Sequence, residues 1–357
     1  MLHALRETLN SGLRAALEYS PWSGRRIQAR RARQAQRARP SDGAFVLPLP
    51  DLTGRGLRPV YLERRGRYAT VTSVKLLDPE TLVCASFLEK KLYLVRFDAQ
   101  RRTHRILDAI PTTYRGIPVE TDLADSDPSG EHVVLSNFHH GSLSQYRREG
   151  ERLAFVRDLD LDLESKVHGV KFLTHDLVAA TVGSQPTGVR FFDLDLGKRT
   201  VHVDLPLKTQ DVAFRSEREM IVLAVHGAPR RRQQVPYGSD VCRVELDLET
   251  GRSEVGPLRT WLDTHFDACV LHDGRLYLTD QRNDCVKILD PDSLDGIGRI
   301  EGYDFPHGID VKFGMLAVTN YGANTIDIRA LADLEIRTWI GPQPSTTPAP
   351  FRLPGRP

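Results

Sequence analysis

The chain is poor in the features that mark several common classes of protein. Only four of its 357 residues are cysteine, and aromatic residues make up 7% of it. No apolar run reaches the roughly eighteen residues of a transmembrane helix, so we predict no helical membrane span. The N-terminus lacks the apolar core and small-residue cleavage site of a secretory signal. We therefore expect an unexported, cytoplasmic protein.

Sequence motifs of several enzyme classes are also absent. The cysteines form no CxxC pair, which argues against a metal knuckle or a dithiol redox site. They lie in apolar strand-like runs, as expected of small buried thiols in a reducing compartment. There is no G-x-S-x-G elbow, no Walker phosphate loop and no dinucleotide-binding fingerprint. The cysteines are Cys84, Cys242, Cys269 and Cys285.

Charge is distributed unevenly along the chain. Residues 1–40 hold nine arginines and two glutamates, although the whole chain has a net charge of only +2. The remainder is therefore mildly acidic. Leucines at 2–19 recur at three- and four-residue steps, which predicts one apolar stripe on a helix. Such a stripe is suited to docking a protein partner.

The arginine-rich stretch from Arg25 to Arg39 has two interpretations. It could be an arm that contacts nucleic acid or an anionic membrane through its positive charge. Alternatively, it is a solvated helical lead-in that packs on the rim of the domain or on a partner. No aromatic side chains are interleaved with the arginines, so base stacking is not supported.

From about residue 69 the chain repeats a pattern of short strands. Apolar residues alternate at period two within each run, and Gly, Asn or Asp bound the runs, as in antiparallel strands. Six copies follow one another at about 40 to 57 residues, a spacing that matches four-stranded propeller blades and excludes helical solenoids. The innermost strands are predicted at 72–77, 119–123, 169–173, 211–214, 268–271 and 308–313.

We therefore predict an all-β protein, a β-propeller of six four-stranded blades with a short N-terminal α-helical extension. A seventh blade would form if residues 45–64 paired with the C-terminus. A β-sandwich would not need the same internal strand order so many times. The predicted divisions are a basic extension at 1–40, a linker or closing strand at 41–66, the propeller at 67–342 and a proline-rich tail at 343–357.

Two segments resemble a known group of propellers. Pro306-His307-Gly308-Ile309, followed by Met315–Asn320, resembles the NHL/YVTN class of bacterial propellers, and Gly274–Asp280 with Asn283 and Val286 does so as well. The resemblance implies a propeller fold. It is weak for function, because these propellers include lactonases, lyases and pure binding platforms. It also implies that the innermost strands start on the same face where the second strands end, around one mouth of the central channel.

Polar residues are concentrated at the places that would surround this mouth. The strand starts carry Glu120, Asp122, His168, Asp211, His265, Asp267 and His307. The loops between second and third strands carry Asn137, His139, His140, Gln281, Arg282, Asn283, Asn320 and Tyr321. We expect Arg282, Asn137, Asn320 and Tyr321 to contact a ligand, although Asn is also an ordinary turn residue.

Two kinds of chemistry fit these residues. Histidines with a carboxylate suit a zinc ion with an open position, where bound water becomes a nucleophile; the candidate ligands are His168, His265, Asp267 and His307. Without a metal, the histidines could act as general base and acid; the candidate catalytic residues are His168, His307, Asp211 and Glu120. Each His-Gly pair also has a local explanation, in which His bonds to backbone and Gly permits tight inner packing.

Two enzymatic propeller groups permit a comparison by residue. Calcium-dependent lactonases of the senescence-marker/gluconolactonase type have Glu, Asn and Asp at inner-strand starts. Here Thr72-Ser73 stands in place of the Glu, and histidines stand where Asn or Asp is expected, which argues against an oxygen-rich calcium site. The peptidyl-hydroxyglycine lyase type has inner-strand histidines around zinc. His168 and His307 are similar in position, and His265 could be a third ligand.

The longest predicted loop between second and third strands lies at 227–239 and contains three consecutive arginines. Arg230 and Arg231, with Arg232, could recognise a carboxylate or phosphate; otherwise the loop is simply solvated. The functional prediction is a metal-assisted hydrolase, lactonase or lyase that acts on a small polar or anionic molecule at the mouth. The alternative is a non-catalytic platform that binds a protein through its loops and its N-terminal helix.

Overall fold

A computed structural model describes residues 45–48, 71–87, 89–99, 101, 103–161, 166–183, 187–205, 207–226, 238–321, 325–338 and 343–347. These residues form six antiparallel sheets that follow one another along the chain. The innermost strand of each sheet contacts that of the next, and the sixth contacts the first. The predicted all-β, six-bladed propeller is confirmed.

The first three blades each consist of four consecutive strands, with the innermost strand first in the chain. Blade one contains Val71–Asp78, Thr81–Ser86, Lys91–Asp98 and Thr103–Pro111. Blade two contains Thr121–Ser126, His132–Asn137, Ser142–Glu149 and Arg152–Asp160. Blade three contains Val167–Phe172, Leu177–Val182, Gly188–Asp193 and Lys198–Asp204. A two-residue hairpin, Thr113–Tyr114 with Ile117–Pro118, joins the first two blades.

The other three blades are completed by strands from both ends of the chain. Blade four contains Lys208–Ser216, Glu219–His226, Gly238–Asp247, Arg252–Val255 and Leu258–Leu262. Blade five contains Phe266–His272, Arg275–Asp280, Cys285–Leu289 and Gly296–Ile300. Blade six contains Pro306–Lys312, Met315–Asn320 and Thr325–Ala330, followed by the 3₁₀ turn Leu331–Asp333.

The N-terminal strand closes the ring. Phe45–Pro48 pairs antiparallel with Thr325–Ala330 and supplies the fourth strand of blade six. The predicted alternative of a seventh blade is therefore wrong, because this strand completes an existing sheet. After blade six the chain returns across its neighbours: Arg337–Thr338 pairs with the outer strand of blade five, and Ser345–Thr347 pairs with Leu258–Leu262 of blade four.

Six apolar clusters lie between neighbouring blades. Each draws side chains from the facing sides of two adjacent sheets, as in the cluster where Val71 and Phe97 of blade one meet Ile326 of blade six. All four cysteines are buried and free, as their apolar surroundings predicted. The core is thus a ring of sheet-to-sheet contacts, which leaves the inner edges of the blades to line the channel.

In four blades, a hydroxyl group near the end of the second strand links the inner strand of its own blade to the inner strand of the next blade. Each accepts a hydrogen bond from its own inner strand and donates one to a carbonyl of the next blade. The hydroxyls belong to Ser136, Thr181, Thr279 and Thr319. The acceptors include the carbonyls of His168 and His307, so the backbone of both histidines is held by the preceding blade.

The glycines that follow the two histidines permit this close approach. A Cβ added to Gly308 would lie 2.6 Å from the carbonyl oxygen of Thr72 and 2.8 Å from the Cα of Ser73. A Cβ on Gly169 would collide with the backbone of Asp211 in the same way. The glycine of each His-Gly pair therefore permits tight packing of neighbouring inner strands, as predicted. These contacts do not determine the role of the imidazoles.

Several predictions lie outside the described residues. These are the leucine-striped helix at 2–19, the stretch from Arg25 to Arg39, and Arg230 and Arg231 in the loop 227–237. Among the residues that the structure describes, no helix is long and apolar enough to cross a membrane.

Candidate functional site

Five of the predicted strand-start residues come together at one end of the channel. We call Asp122, His168, His265, Asp267 and His307 the mouth cluster. They come from blades two, three, five and six, and each lies at or just before the start of an innermost strand. All except His265 are less than one tenth exposed. The four predicted metal ligands therefore do lie together, with Asp122 among them.

Two carboxylates connect the three imidazoles. Asp122 contacts two rings: its Oδ2 is 3.1 Å from Nδ1 of His168, and its Oδ1 is 3.2 Å from Nε2 of His307. Asp267 Oδ2 approaches the same Nε2 of His307 at 3.0 Å, while its Oδ1 is 3.6 Å from Nε2 of His265. His307 thus sits between two acids.

The charged groups of the mouth cluster stabilise one another in their ionised forms. Burial by itself would lower the pKa of His307, but Asp267 and Asp122 outweigh it and raise that pKa to about 10. Burial would raise the pKa of both acids, but His307 and the neighbouring histidines lower each of them below its usual value. At neutral pH His307 is therefore an imidazolium held between two carboxylates.

Two ring nitrogens of the cluster have no hydrogen-bond partner among the described residues. They are Nε2 of His168 and Nδ1 of His307, and both are buried. Buried polar atoms are almost always paired with protein or ordered water, so each unpaired one needs an explanation. Since Nδ1 of His168 is bound to Asp122, the neutral ring would carry its lone pair on Nε2.

Aromatic side chains and one glycine hold the two rings in place. The ring of Phe138 meets His168 edge-on at 4.9 Å between centroids, and Tyr321 stacks on His307 at 5.3 Å. Gly183 makes room beside His168, because a Cβ there would lie 2.8 Å from Nε2. Tyr321 is therefore a neighbour of the cluster, as predicted for a residue at the mouth.

Basic residues surround the cluster at its rim. Lys90 pairs with Glu120 at 3.1 Å, and this contact outweighs burial and lowers the pKa of the Glu120 carboxyl. The ammonium of Lys166 lies over the ring of Phe138, 5.0 Å from its centroid. Loss of water and then repulsion by Lys166 lower the pKa of Lys208, while Asp267 opposes that shift.

Asp211 does not join the mouth cluster, although the sequence placed it among the catalytic candidates. Its Oδ2 is 3.1 Å from Nζ of Lys171 and accepts a hydrogen bond from the backbone N–H of Cys269 at 2.9 Å. It belongs to a second group of buried charges farther along the inner strands. We call Lys75, Asp125, Lys171, Asp211 and Asp310 the inner belt.

A backbone irregularity explains why the strand pattern misplaced residues between these groups. In all six blades the pairing of the inner strand shifts by one residue near its start, the mark of a β-bulge. Residues three apart, which a regular strand would point to opposite faces, then both reach the channel. Asp122 and Asp125, His168 and Lys171, and His307 and Asp310 are such pairs.

The other predicted ligand-binding residues are engaged with protein groups. Asn137 donates to the hydroxyls of Ser142 and Ser144. Asn320 accepts from the backbone of Asp304 through its side-chain oxygen, and Arg282 pairs with Asp263. Each asparagine is the last residue of a second strand, and its side chain is bonded to a neighbouring segment of the protein.

Two rim lysines were missed by the sequence analysis. Lys166 and Lys208 each lie two residues before an inner-strand residue at the level of the mouth, His168 and Gln210. Glu120 and His265 occupy the same place relative to Asp122 and Asp267. In four blades a polar residue stands two positions before a residue at the level of the mouth. This spacing could therefore have been used to predict Lys166 and Lys208 as rim residues.

The cluster does not form a ready metal cage. Among the residues that the structure describes, no group of three or more His, Cys, Asp or Glu side chains is arranged to hold a metal ion. The candidate ligands bind one another instead. The zinc prediction therefore stays a prediction.

Comparisons with known proteins identify the fold and no family. No family model matches the chain, and no curated protein matches it. The WD40 repeats of RRP9 superpose with a TM-score of 0.57 at 10% identity, covering 84% of this chain and 99% of that one. Hydrazine synthase of Kuenenia stuttgartiensis gives a TM-score of 0.51 at 13% identity, covering 73% of this chain and 76% of that one.

A structural genomics protein of unknown function from Bacteroides thetaiotaomicron is also similar. Its TM-score is 0.54 at 11% identity, and the match covers 74% of this chain and 70% of that one. At such identities the likeness supports the propeller architecture alone. The resemblance to NHL/YVTN propellers and to particular enzyme groups among them stays a prediction.

Proposed function

We propose that the channel mouth is an acid–base active site that hydrolyses a small polar or anionic molecule or eliminates a group from it. One observation carries the proposal: Asp122 holds Nδ1 of His168, while the buried Nε2 of the same ring has no partner among the described residues. A carboxylate on one ring nitrogen orients an imidazole and stabilises its protonated form, which leaves the other nitrogen to act as a base.

His168 would be the general base. In hydrolysis of an ester or lactone, Nε2 would take a proton from water as the water oxygen bonds to the carbonyl carbon. The bond to the leaving oxygen then breaks, and that oxygen takes the proton from His168. In a lyase, Nε2 would instead take a proton from carbon as the neighbouring bond to the leaving group breaks. Asp122 would stay ionised throughout.

His307 would be the electrostatic partner. Its Nε2 faces two carboxylates, and its pKa is raised to about 10 by them against the effect of burial. The ring is therefore charged at neutral pH, and its buried Nδ1–H has no partner among the described residues. A preorganised donor of this kind can stabilise negative charge that develops on a reacting oxygen.

Zinc is a separate proposal at the same place. His168 and His307 each bind a carboxylate through one nitrogen, an arrangement typical of metal-ligating histidines, and their other nitrogens would be the donors. Elemental analysis of the purified full-length protein tests it. Stoichiometric zinc that His168→Gln removes would support metal binding; a metal-free protein would refute it and leave the acid–base proposal standing.

The acid–base proposal is tested by hydrolysis of a panel of 4-nitrophenyl esters and γ- and δ-lactones, followed by absorbance or proton release. A panel of 2-hydroxy acids monitors elimination. His168→Gln and Asp122→Asn should each lower kcat/KM by roughly 10²- to 10⁴-fold, the usual contribution of a positioned base. His202→Gln, on the exposed outer strand of blade three, is the matched control and should keep full activity.

Turnover that persists in His168→Gln would overturn the assignment of the base. A complete lack of turnover in the wild-type protein on all panels would favour the alternative prediction of a non-catalytic binding platform.

A further inference from the structure

A groove of about 280 Å³ lies between blades five and six on the face opposite the mouth. Its polar wall includes His272 and Asp273, at the turn that joins the first two strands of blade five. Since the innermost strands begin at the mouth, this turn lies at the other end of the channel. The opposite wall is the segment that follows blade six and contributes Leu331, Leu334 and Ile336, which we call the aliphatic wall.

The aliphatic wall is only partly covered by the propeller. Leu331 and Leu334 pack on one side against the apolar cluster between blades five and six, whereas Ile336 is 37% exposed. The exposed apolar surface continues to Phe313, which is 45% exposed. The residue after Phe313, Gly314, accepts the backbone N–H of Leu331 at 2.8 Å. Exposed apolar side chains that adjoin one another in this way mark places where a protein segment binds.

The N-terminal strand enters the fold at the same end of blade six. Phe45 pairs with Ile328, and Pro48 pairs with Thr325. The third strand of blade six runs from the mouth to the opposite face, so its antiparallel partner enters from that opposite face. Ile328 stands three residues before Leu331, and three extended residues span about 10 Å. Phe45 therefore lies near the aliphatic wall.

The sequence upstream of this strand contains an apolar stripe that needs a surface to cover it. The leucines at 2–19 fall on one side of a predicted helix, and such helices gain most of their stability from packing of the apolar side. The 25 residues at 20–44 separate the stripe from Phe45. Even a random coil of this length spans about 25–30 Å, so the stripe can reach the aliphatic wall at a high effective concentration.

Net charge favours binding of this segment to its own propeller. Residues 1–40 hold nine arginines and two glutamates, so the rest of the chain carries the balance of a total charge of +2 and is net negative. Opposite net charges attract the two parts of the chain over distances of about one Debye length. The attraction brings the segment to the propeller, and the apolar groove then provides the specific contact.

We propose that the leucine stripe of residues 2–19 binds to the aliphatic wall of the groove between blades five and six. The occupant of this surface is thus the N-terminal segment of the same chain. The stripe would cover the exposed side chains of Ile336 and Phe313. This inference does not rest on the proposed function, because the groove and the mouth lie at opposite ends of the channel.

The test measures how fast an introduced cysteine of the full-length protein reacts with a maleimide. Ile336→Cys reports on the aliphatic wall, and the four native cysteines are buried. Leu5→Asp combined with Leu9→Asp places two charges on the stripe. It should speed labelling of Ile336→Cys roughly tenfold, as expected if the stripe leaves the wall open about one-tenth of the time.

Two controls accompany this measurement. Leu196→Cys lies on an exposed turn of blade three on the same face, and its labelling should not change. Thr8→Asp with Asn10→Asp adds the same charges off the stripe and should leave Ile336→Cys protected. Equal labelling of Ile336→Cys with and without the leucine substitutions, or an equal acceleration by the off-stripe pair, would overturn the proposal. Protection that is lost on dilution would assign the stripe to a second copy of the chain and would overturn it as well.

A second measurement locates the stripe directly. Leu9→Cys combined with Ile336→Cys should form a crosslink within one molecule through a short bismaleimide. The reaction should be roughly tenfold faster than for Leu9→Cys combined with Leu196→Cys, because the bound stripe raises the local concentration at the groove alone. Equal rates for the two pairs, or crosslinks chiefly between molecules, would contradict binding of the stripe to its own groove.

Discussion

The mouth cluster and the inner belt both combine basic side chains with carboxylates along the innermost strands, but they differ in how their charges are satisfied. In the belt, Lys75 lies 3.1 Å from Asp125 and also donates to the carbonyl of Ile309. Asp125 and Asp310 each accept a backbone N–H from the neighbouring blade at 2.8 Å. The belt is bonded to the protein itself.

The mouth cluster differs because imidazoles replace the lysines. An imidazole offers two nitrogens on opposite sides of a rigid ring, and here only one of each pair is bonded in His168 and His307. One belt oxygen, Asp211 Oδ1, also lacks a partner among the described residues, but the other oxygen of that carboxylate is bonded to both Lys171 and the backbone N–H of Cys269. The difference indicates that the belt fastens the blades, while the mouth keeps the unused ring nitrogens on which the proposed function depends.

The largest expected effect comes from breaking the belt. Lys75→Met would leave Asp125 and Asp310 as buried carboxylates without their cation, which should cost about 3–5 kcal/mol in the free energy of unfolding. Chemical denaturation measures it. Lys198→Met, at an exposed site, is the control and should stay within about 0.5 kcal/mol of the wild type. A loss in Lys75→Met no larger than in the control would mean that the belt does not fasten the ring.

The pH dependence of stability tests the charge pairing of the mouth. The pKa of His307 is raised in the folded state to about 10, so its contribution is full below about pH 6.5 and is lost as pH rises toward 10. The pKa values of Asp122 and Asp267 are lowered, so their contribution is present above about pH 4 and is lost in acid.

The combined contribution of His307, Asp122 and Asp267 to the free energy of unfolding should be highest between about pH 4 and 6.5. It should fall by a few kcal/mol between about pH 6.5 and 10. Denaturation midpoints of wild type and His307→Gln across this range measure it. The substituted protein should have a flatter profile on the alkaline side. If stability varied with pH in the same way in both proteins, Asp122 and Asp267 would not stabilise the charged form of His307.

A third prediction concerns the backbone contacts beside both groups. Gly308→Ala should cost about 2–3 kcal/mol, because the new Cβ would overlap the inner strand of blade one. Gly314→Ala in the same blade meets no atom within 4 Å, but its φ is +71°, so it should cost only about 1 kcal/mol. Thermal unfolding of the two variants gives the comparison. An equal cost would contradict the account of the His-Gly pair.

The smallest expected effect is on stability at the mouth. His168→Gln removes one hydrogen bond to Asp122 and should cost about 1–2 kcal/mol in the free energy of unfolding, less than the cost of Lys75→Met. Urea denaturation of both variants in one buffer tests the contrast. If the two losses were equal, the distinction between a fastening belt and a ligand-binding mouth would fail.

Part of the site was predictable because it follows from local pattern. Alternation and turn residues located the inner strands to within a few residues, and His168, His265, Asp267 and His307 then had to approach one mouth. Asp211 was misplaced because a bulge decides which side chains reach the mouth. Lys166 and Lys208 were overlooked because Lys166 precedes its inner strand and Lys208 begins its own, upstream of the strand predicted at 211–214.

The sequence by itself determined the strand pattern and the order of the six repeated units, since strand alternation and turns depend on neighbours in the chain. Tertiary structure alone decided that Phe45–Pro48 completes blade six rather than starting a seventh. It also decided that Asp122 bridges His168 and His307, from blades two, three and six. The physical reason is that bulges and contacts between blades set these distances, and neither depends on residues close together in the chain.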